Sequence, residues 1–166
     1  MIMKRFLKII IPFILFNSLL LSENYKVEVG IESITYENGK YNMSVYIINP
    51  YDSIAGIQFK IIPSTIFSIE EIYGGKSERA GFQIHKNKKG TILGFSMTGN
   101  TIPPSSIIAG PDRLKNNIVL NIVATGIEIP EDTILEMECV MASKRGESLP
   151  TEFIPFALSN IIYIEN

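Results

Sequence analysis

The stretch Ile54-Ala55-Gly56-Ile57-Gln58-Phe59-Lys60-Ile61-Ile62 decides the fold class. Ala55, Ile57, Phe59 and Ile61 recur at every second position with Gln58 and Lys60 between them, and this period, rich in β-branched and aromatic residues, marks a half-buried strand. The alternation predicts that Ala55, Ile57, Phe59 and Ile61 face a core while Gln58 and Lys60 face solvent or a partner. Pro50-Tyr51-Asp52 before it and Pro63 after it supply the turns, since proline lacks the amide that a sheet interior needs.

The same period runs outward in both directions. In residues 26–36, Val27, Val29 and Ile31 share one face and Lys26, Glu28 and Glu32 the other; Asn38-Gly39 then predicts a type I′ hairpin into residues 41–49. Residues 67–73 read as a strand ending at Gly74-Gly75, and residues 81–85 and 91–97 as a hairpin across Asn87-Lys88-Lys89-Gly90, with Leu93, Phe95 and Met97 inward. Residues 98–111 carry three prolines and two glycines and read as an ordered loop. Residues 118–124 are apolar on both faces apart from Asn121, as in the middle of a sheet. Residues 133–140 alternate Leu135, Met137 and Cys139 inward with Glu136 and Glu138 outward, and residues 161–164 close the series. Almost no segment reads as helix. Eight or nine strands at this spacing predict an all-β jelly-roll sandwich.

The 166 residues, 46% apolar, suit one such domain. Lys4, Arg5 and Lys8 precede an apolar run over residues 9–21, the pattern of a secretory signal; the run is shorter than the ~20 apolar residues a membrane helix needs. The expectation is a signal peptide over residues 1–22 and the sandwich over residues 23–166, exported to the cell surface or medium, with membrane contact only through an uncleaved signal. Residues 1–22 hold three of the 15 basic residues and no acidic one, which leaves 12 against 17 and a net charge of −5. An acidic chain without a basic stripe argues against nucleic acid. One Cys and one His exclude a disulfide framework and the usual multi-His and multi-Cys metal sites, so no metal or cofactor is expected.

Catalytic patterns are weak. Gly94-Phe95-Ser96-Met97-Thr98-Gly99 places its second glycine too far from Ser96 for a nucleophile elbow, and His85 is the one candidate imidazole base. Glu70-Glu71, Glu131-Asp132 and Glu136/Glu138 are the carboxylate pairs a glycan-cleaving enzyme would use, but neighbours on a strand point apart and alternate ones share a solvent face. Asn42-Met43-Ser44 fits a glycosylation sequon. Cys139, inward on its strand, reads as a small hydrophobe. Tyr46, Tyr51 and Tyr73 are candidates to stack on sugars, and Gln58, Gln83 and Asn121 to hydrogen-bond a ligand, although the chain has no Trp.

Ile54-Ala55-Gly56-Ile57-Gln58-Phe59-Lys60-Ile61, following Val45-Tyr46-Ile47-Ile48, resembles the third-strand signature of cohesin domains. Gly74-Gly75, Ala80-Gly81-Phe82, the run from Thr91 through Gly99 and Thr101-Ile102-Pro103-Pro104 follow in the same order as the middle strands and Pro-containing loop of cohesin-like proteins. The resemblance implies a nine-stranded jelly roll that binds a dockerin module by one sheet face without catalysis, in a family associated with carbohydrate-binding domains and polysaccharide-degrading assemblies. Carried onto this chain, that face comprises Gln58, Lys60, Gln83, His85, Ile92 and Ser96, taken as outward by alternation. The partner expected is a dockerin-type protein module or, alternatively, a polysaccharide bound directly; a small glycan-active enzyme and a structural component of a surface assembly are the other classes.

Overall fold

The computed structural model describes residues 25–87, 89–126, 130 and 132–165. The expected signal segment and Glu131 lie outside the described residues. In chain order the strands are β1 (Val27–Glu37), β2 (Lys40–Ile48), β3 (Ile54–Ile62), β4 (Phe67–Tyr73), β5 (Gln83–Lys86), β6 (Thr91–Phe95), β7 (Ile118–Gly126), β8 (Ile134–Ser143), β9 (Ser148–Leu149), β10 (Thr151–Ile154), β11 (Phe156–Ala157) and β12 (Ile162–Tyr163), with one short α-helix, α1 (Gly75–Arg79), and two 3-10 helices, Lys115–Asn117 and Leu158–Asn160, among the described residues. They form two six-stranded sheets, β10-β1-β2-β7-β4 with β12 also on β1, and β11-β8-β3-β6-β5 with β9 also on β8. The expected all-β sandwich is what the chain adopts. The twelve strands among the described residues exceed the eight or nine expected because β9, β10 and β11 are too short to show a period.

The core lies between the sheets. Val29, Ile34, Met43, Val45, Ile122 and Ala124 from the first sheet face Ile57, Phe59, Ile92, Leu135 and Met141 from the second, each at most 1% exposed. Asn38 and Gly39 have φ of 51° and 78°, as the type I′ turn requires. β7 lies between β2 and β4, in the sheet interior as its two-sided apolarity predicts. β1 is edged by two parallel partners, β10 at Val27 to Gly30 and β12 at Thr35 and Tyr36.

Four inward assignments need correction, those of Leu93, Phe95, Met97 and Ala55. On β6 the parity is reversed: Ile92 and Gly94 are buried, whereas Leu93 and Met97 are 44% and 70% exposed. Ile92 pairs with Phe59 and Gly94 with Ile57, and directly opposed residues share a face, so the two core residues of β3 draw Ile92 and Gly94 inward. Ala55 does not reach the core. A bulge between Ile54 and Gly56 resets the alternation and buries Ile54 instead, bridged to Ile102 by backbone bonds of 2.9 and 2.8 Å. Ser96 lies beyond the end of β6, in the following turn.

The first sheet's outer surface is covered. Tyr46 and Ile48 are 3% and 2% exposed, and the Tyr46 ring lies over Gly30, where an added Cβ would come within 2.6 Å of it. Arg113 donates two hydrogen bonds to the Glu28 carboxylate, at 3.0 and 3.2 Å, and Tyr46 donates to the same carboxylate at 2.9 Å. The segment carrying Arg113 is pinned by buried amides. Asn49 Nδ2 donates to the Asp52 and Pro103 carbonyls at 2.8 and 3.2 Å, and Asn117 Nδ2 to those of Ile107 and Arg113 at 2.6 and 2.7 Å. The proline-rich stretch is thus an ordered loop, as its composition suggests.

Candidate functional site

The outer face of the second sheet is open where the first is covered. Register places three cross-strand rows on it: Gln83, Phe95, Gly56 and Ala142; His85, Leu93, Gln58 and Val140; then Thr91, Lys60 and Glu138. In the middle row Gln58 stands between Leu93 and Val140, and Val140 is 48% exposed. Two half-exposed aliphatic groups flanking an amide, on a sheet whose other face is core, leave apolar area that solvation does not explain.

Each member is held by its strand. Gly56 and Ala142 leave a shallow trough in the first row, where a Cβ on Gly56 would meet that of Ala142 at 3.5 Å. The His85 and Phe95 rings lie 6.2 Å apart with planes tilted by 31°. Lys60 donates to Glu138 at 3.5 Å, both side chains reaching solvent, so this pair contributes at most about 1 kcal/mol to stability. It leaves both charges available to a partner.

Of the six residues expected on this face, the structure brings together Gln58, Lys60, Gln83 and His85. Ser96 sits at its rim, where its hydroxyl lies 3.0 Å from that of Thr98 and accepts from the Asn100 amide at 3.2 Å. Ile92 points into the core, and its neighbour Leu93 takes its place. Sequence reasoning missed Leu93 and Val140. The alternation that sends Glu136 and Glu138 outward carries Val140 with them, and this was the available signal.

The titrating groups that depart from ordinary behaviour serve structure. Burial pushes the Cys139 thiol up to about 12, which keeps it protonated and a poor nucleophile at neutral pH. Burial, then the bond to Glu28, pushes the Tyr46 hydroxyl up. The Lys40 ammonium, 2.8 Å away, holds the Glu70 carboxyl below its usual range. Among the described residues no group of three or more His, Cys, Asp or Glu is placed to hold a metal ion. What the face can offer is apolar contact, amide hydrogen bonds and one loosely paired lysine.

No family model matches the chain, and no curated protein does. Solved structures do. The sixth cohesin of scaffoldin B from Acetivibrio cellulolyticus, in complex with a dockerin, superposes with a TM-score of 0.54 at 12% identity over 84% of this chain and 100% of that one. A non-cellulosomal cohesin from the hyperthermophilic archaeon Archaeoglobus fulgidus gives 0.55 at 9% identity over 85% and 93%. A type I cohesin–dockerin complex from Clostridium thermocellum gives 0.52 at 13% identity over 84% and 100%. At these identities the likeness is one of fold.

Proposed function

We propose, from the premise that this chain has the cohesin fold, that it is a non-catalytic binding module which seats a dockerin-type protein module on the outer face of β8-β3-β6-β5. The observation that carries this is the pair Leu93 and Val140, half exposed on either side of Gln58 on the sandwich face that no loop covers among the described residues. A few residues near the centre of a patch that become fully desolvated supply most of an interface's affinity, and polar groups around them fix orientation. Gln58, Lys60, Gln83 and His85 serve that second role, with Ser96 at the edge. Two of the solved structures that share the fold are complexes with dockerins, which supports this class of partner.

The proposal includes export. Residues 1–22 direct secretion and residues 23–166 form the domain that works at the cell surface or outside the cell. Capture tests the reading: the immobilised chain is incubated with a panel of dockerin modules beside insoluble polysaccharides. Retention of a dockerin, lost in Leu93→Asp, is expected. Binding to a polysaccharide with no dockerin retained would overturn the reading in favour of direct glycan binding.

A further inference from the structure

The sandwich carries a second concavity at the end where β4 and β5 approach. A cleft of about 650 Å³ opens between the β3–β4 turn and the β5–β6 hairpin, lined among others by Lys60, Lys86, Lys89, Ser64, Thr65 and Ser68. Among the described residues its lining holds three ammonium groups and no carboxylate, in a chain whose net charge is −2.

The lysines are only partly neutralised by their surroundings. Lys86 spans the two sheet edges and donates to the main-chain carbonyls of Ile69 and Glu70, which are dipoles rather than charges, and an ammonium has a third N–H to give. Lys89 has no ion-pair partner among the described residues. Lys60 is held by Glu138 only at 3.5 Å. The Glu70 carboxylate lies outside the lining and is bonded to Lys40 at 2.8 Å, with Lys86 acting on it without an ion pair. The hairpin that carries Lys89 is fixed, because Asn87 Oδ1 accepts from the Lys89 and Thr91 amides at 2.9 and 3.0 Å. Like charges gathered in a cleft repel one another, and an anion entering it relieves that repulsion while gaining charge-assisted hydrogen bonds.

Lys60 belongs to both the cleft and the third row of the binding face, so the two surfaces are continuous. We propose that the cleft receives acidic side chains of the protein module docked on that face, their carboxylates held by Lys60, Lys86 and Lys89 and by the hydroxyls of Ser64, Thr65 and Ser68. This rests on the docking reading above and adds a charge rule to it: the partner is acidic where it overhangs the β5–β6 hairpin.

The test is a titration of the full chain with an acetylated and amidated tetraglutamate peptide, followed by the amide NMR shifts of Ser64, Lys86, Lys89 and Gly90. Saturable shifts are expected, weakening severalfold between about 0.05 and about 0.3 M salt as screening grows, with no response to tetralysine. Lys86→Glu with Lys89→Glu is expected to reduce the affinity at least about tenfold, and Lys86→Ala with Lys89→Ala to give a smaller loss with the fold retained by circular dichroism. Absence of saturable shifts, or shifts that survive both double variants, overturns the proposal. So does an equal response to inorganic sulfate, and so does saturation by an oligogalacturonate but not by tetraglutamate, which would give the cleft to a sugar acid. Leu93→Asp separates the two readings: it is expected to abolish dockerin capture while the tetraglutamate response stays intact.

Discussion

Gly94 shows how a missing side chain settles the orientation of a strand. An added Cβ there would come within 2.5 Å of Ile84 Cδ1 and 2.8 Å of Ile57 Cγ1, so the hydrogen leaves room for two core isoleucines and turns Leu93 outward. Gly94→Val is therefore expected to destabilise the fold by ~1–3 kcal/mol through overpacking, read as a lower urea midpoint at unchanged slope. Leu93→Asp, one residue away, is expected to leave the midpoint within ~0.5 kcal/mol of the parent while partner affinity falls at least about tenfold in a capture titration. A midpoint shift as large as that of Gly94→Val would return Leu93 to the core. The parity of this strand was not legible in the sequence, because Ile92 and Gly94 on one face and Leu93 and Phe95 on the other both satisfy an apolar alternation. Glycine reads as a solvent-side residue until its neighbours' volume is known. Gln58, Gln83 and His85 were legible, since polar residues within apolar runs have only one face to occupy.

At the scale of elements, proline and paired glycine marked the boundaries well. β3 ends before Pro63 and β4 at Tyr73, before Gly74, where their turn chemistry places them. Helix α1 escaped notice because five residues are too few to display a 3.6-residue period. Tertiary contacts hold it instead: the buried Ser77 hydroxyl donates to the Val119 carbonyl at 2.7 Å, and Gly75, at φ +70°, lies so close to β7 that a Cβ would approach the Val119 carbonyl carbon to 2.3 Å. Two glycines in the left-handed region thus differ in a way that chemical denaturation can measure. Gly39→Ala in the β1–β2 turn, where a Cβ meets nothing within 4 Å, is expected to cost only the backbone preference of about 1–2 kcal/mol. Gly75→Ala adds a clash with main chain that cannot move aside, and a larger loss is expected, with detachment of α1 from β7. Equal losses would mean that α1 shifts without consequence. The short strands β9, β10 and β11 were invisible for the same reason as α1, since two to four residues carry no period, whereas β12 falls within the closing strand read over residues 161–164.

For the whole molecule, the two faces of the sandwich have unlike surroundings, and the alkaline limb of its stability follows from the covered and buried side. Both Cys139 and Tyr46 titrate above their ordinary values in the folded chain, so folding favours their protonated forms. The stability they contribute is complete below the unfolded thiol value of 9.0 and is lost as the pH rises from there toward about 12 for Cys139. Cys139→Ala is expected to lose less stability between pH 8 and pH 10 than the parent does, measured by urea unfolding at both values; an unchanged difference would show that the thiol is solvated. The layered architecture was legible because alternation continues through most of the chain, whereas the covering of one sheet depends on Arg113 meeting Glu28 across 85 residues, a contact that no local pattern announces. The parallel seating of β10 and β12 on β1 has a mechanical consequence. Val27 opens β1 and Tyr163 pairs with Tyr36 near its far end, so tension applied between Val27 and Tyr163 pulls neighbouring parallel strands in opposite directions along their length. The hydrogen bonds between them are then loaded together in shear instead of being unzipped one after another, and single-molecule pulling on those two positions is expected to give a higher rupture force than pulling on Glu28 and Ile48, which face each other at the β1–β2 hairpin's open end.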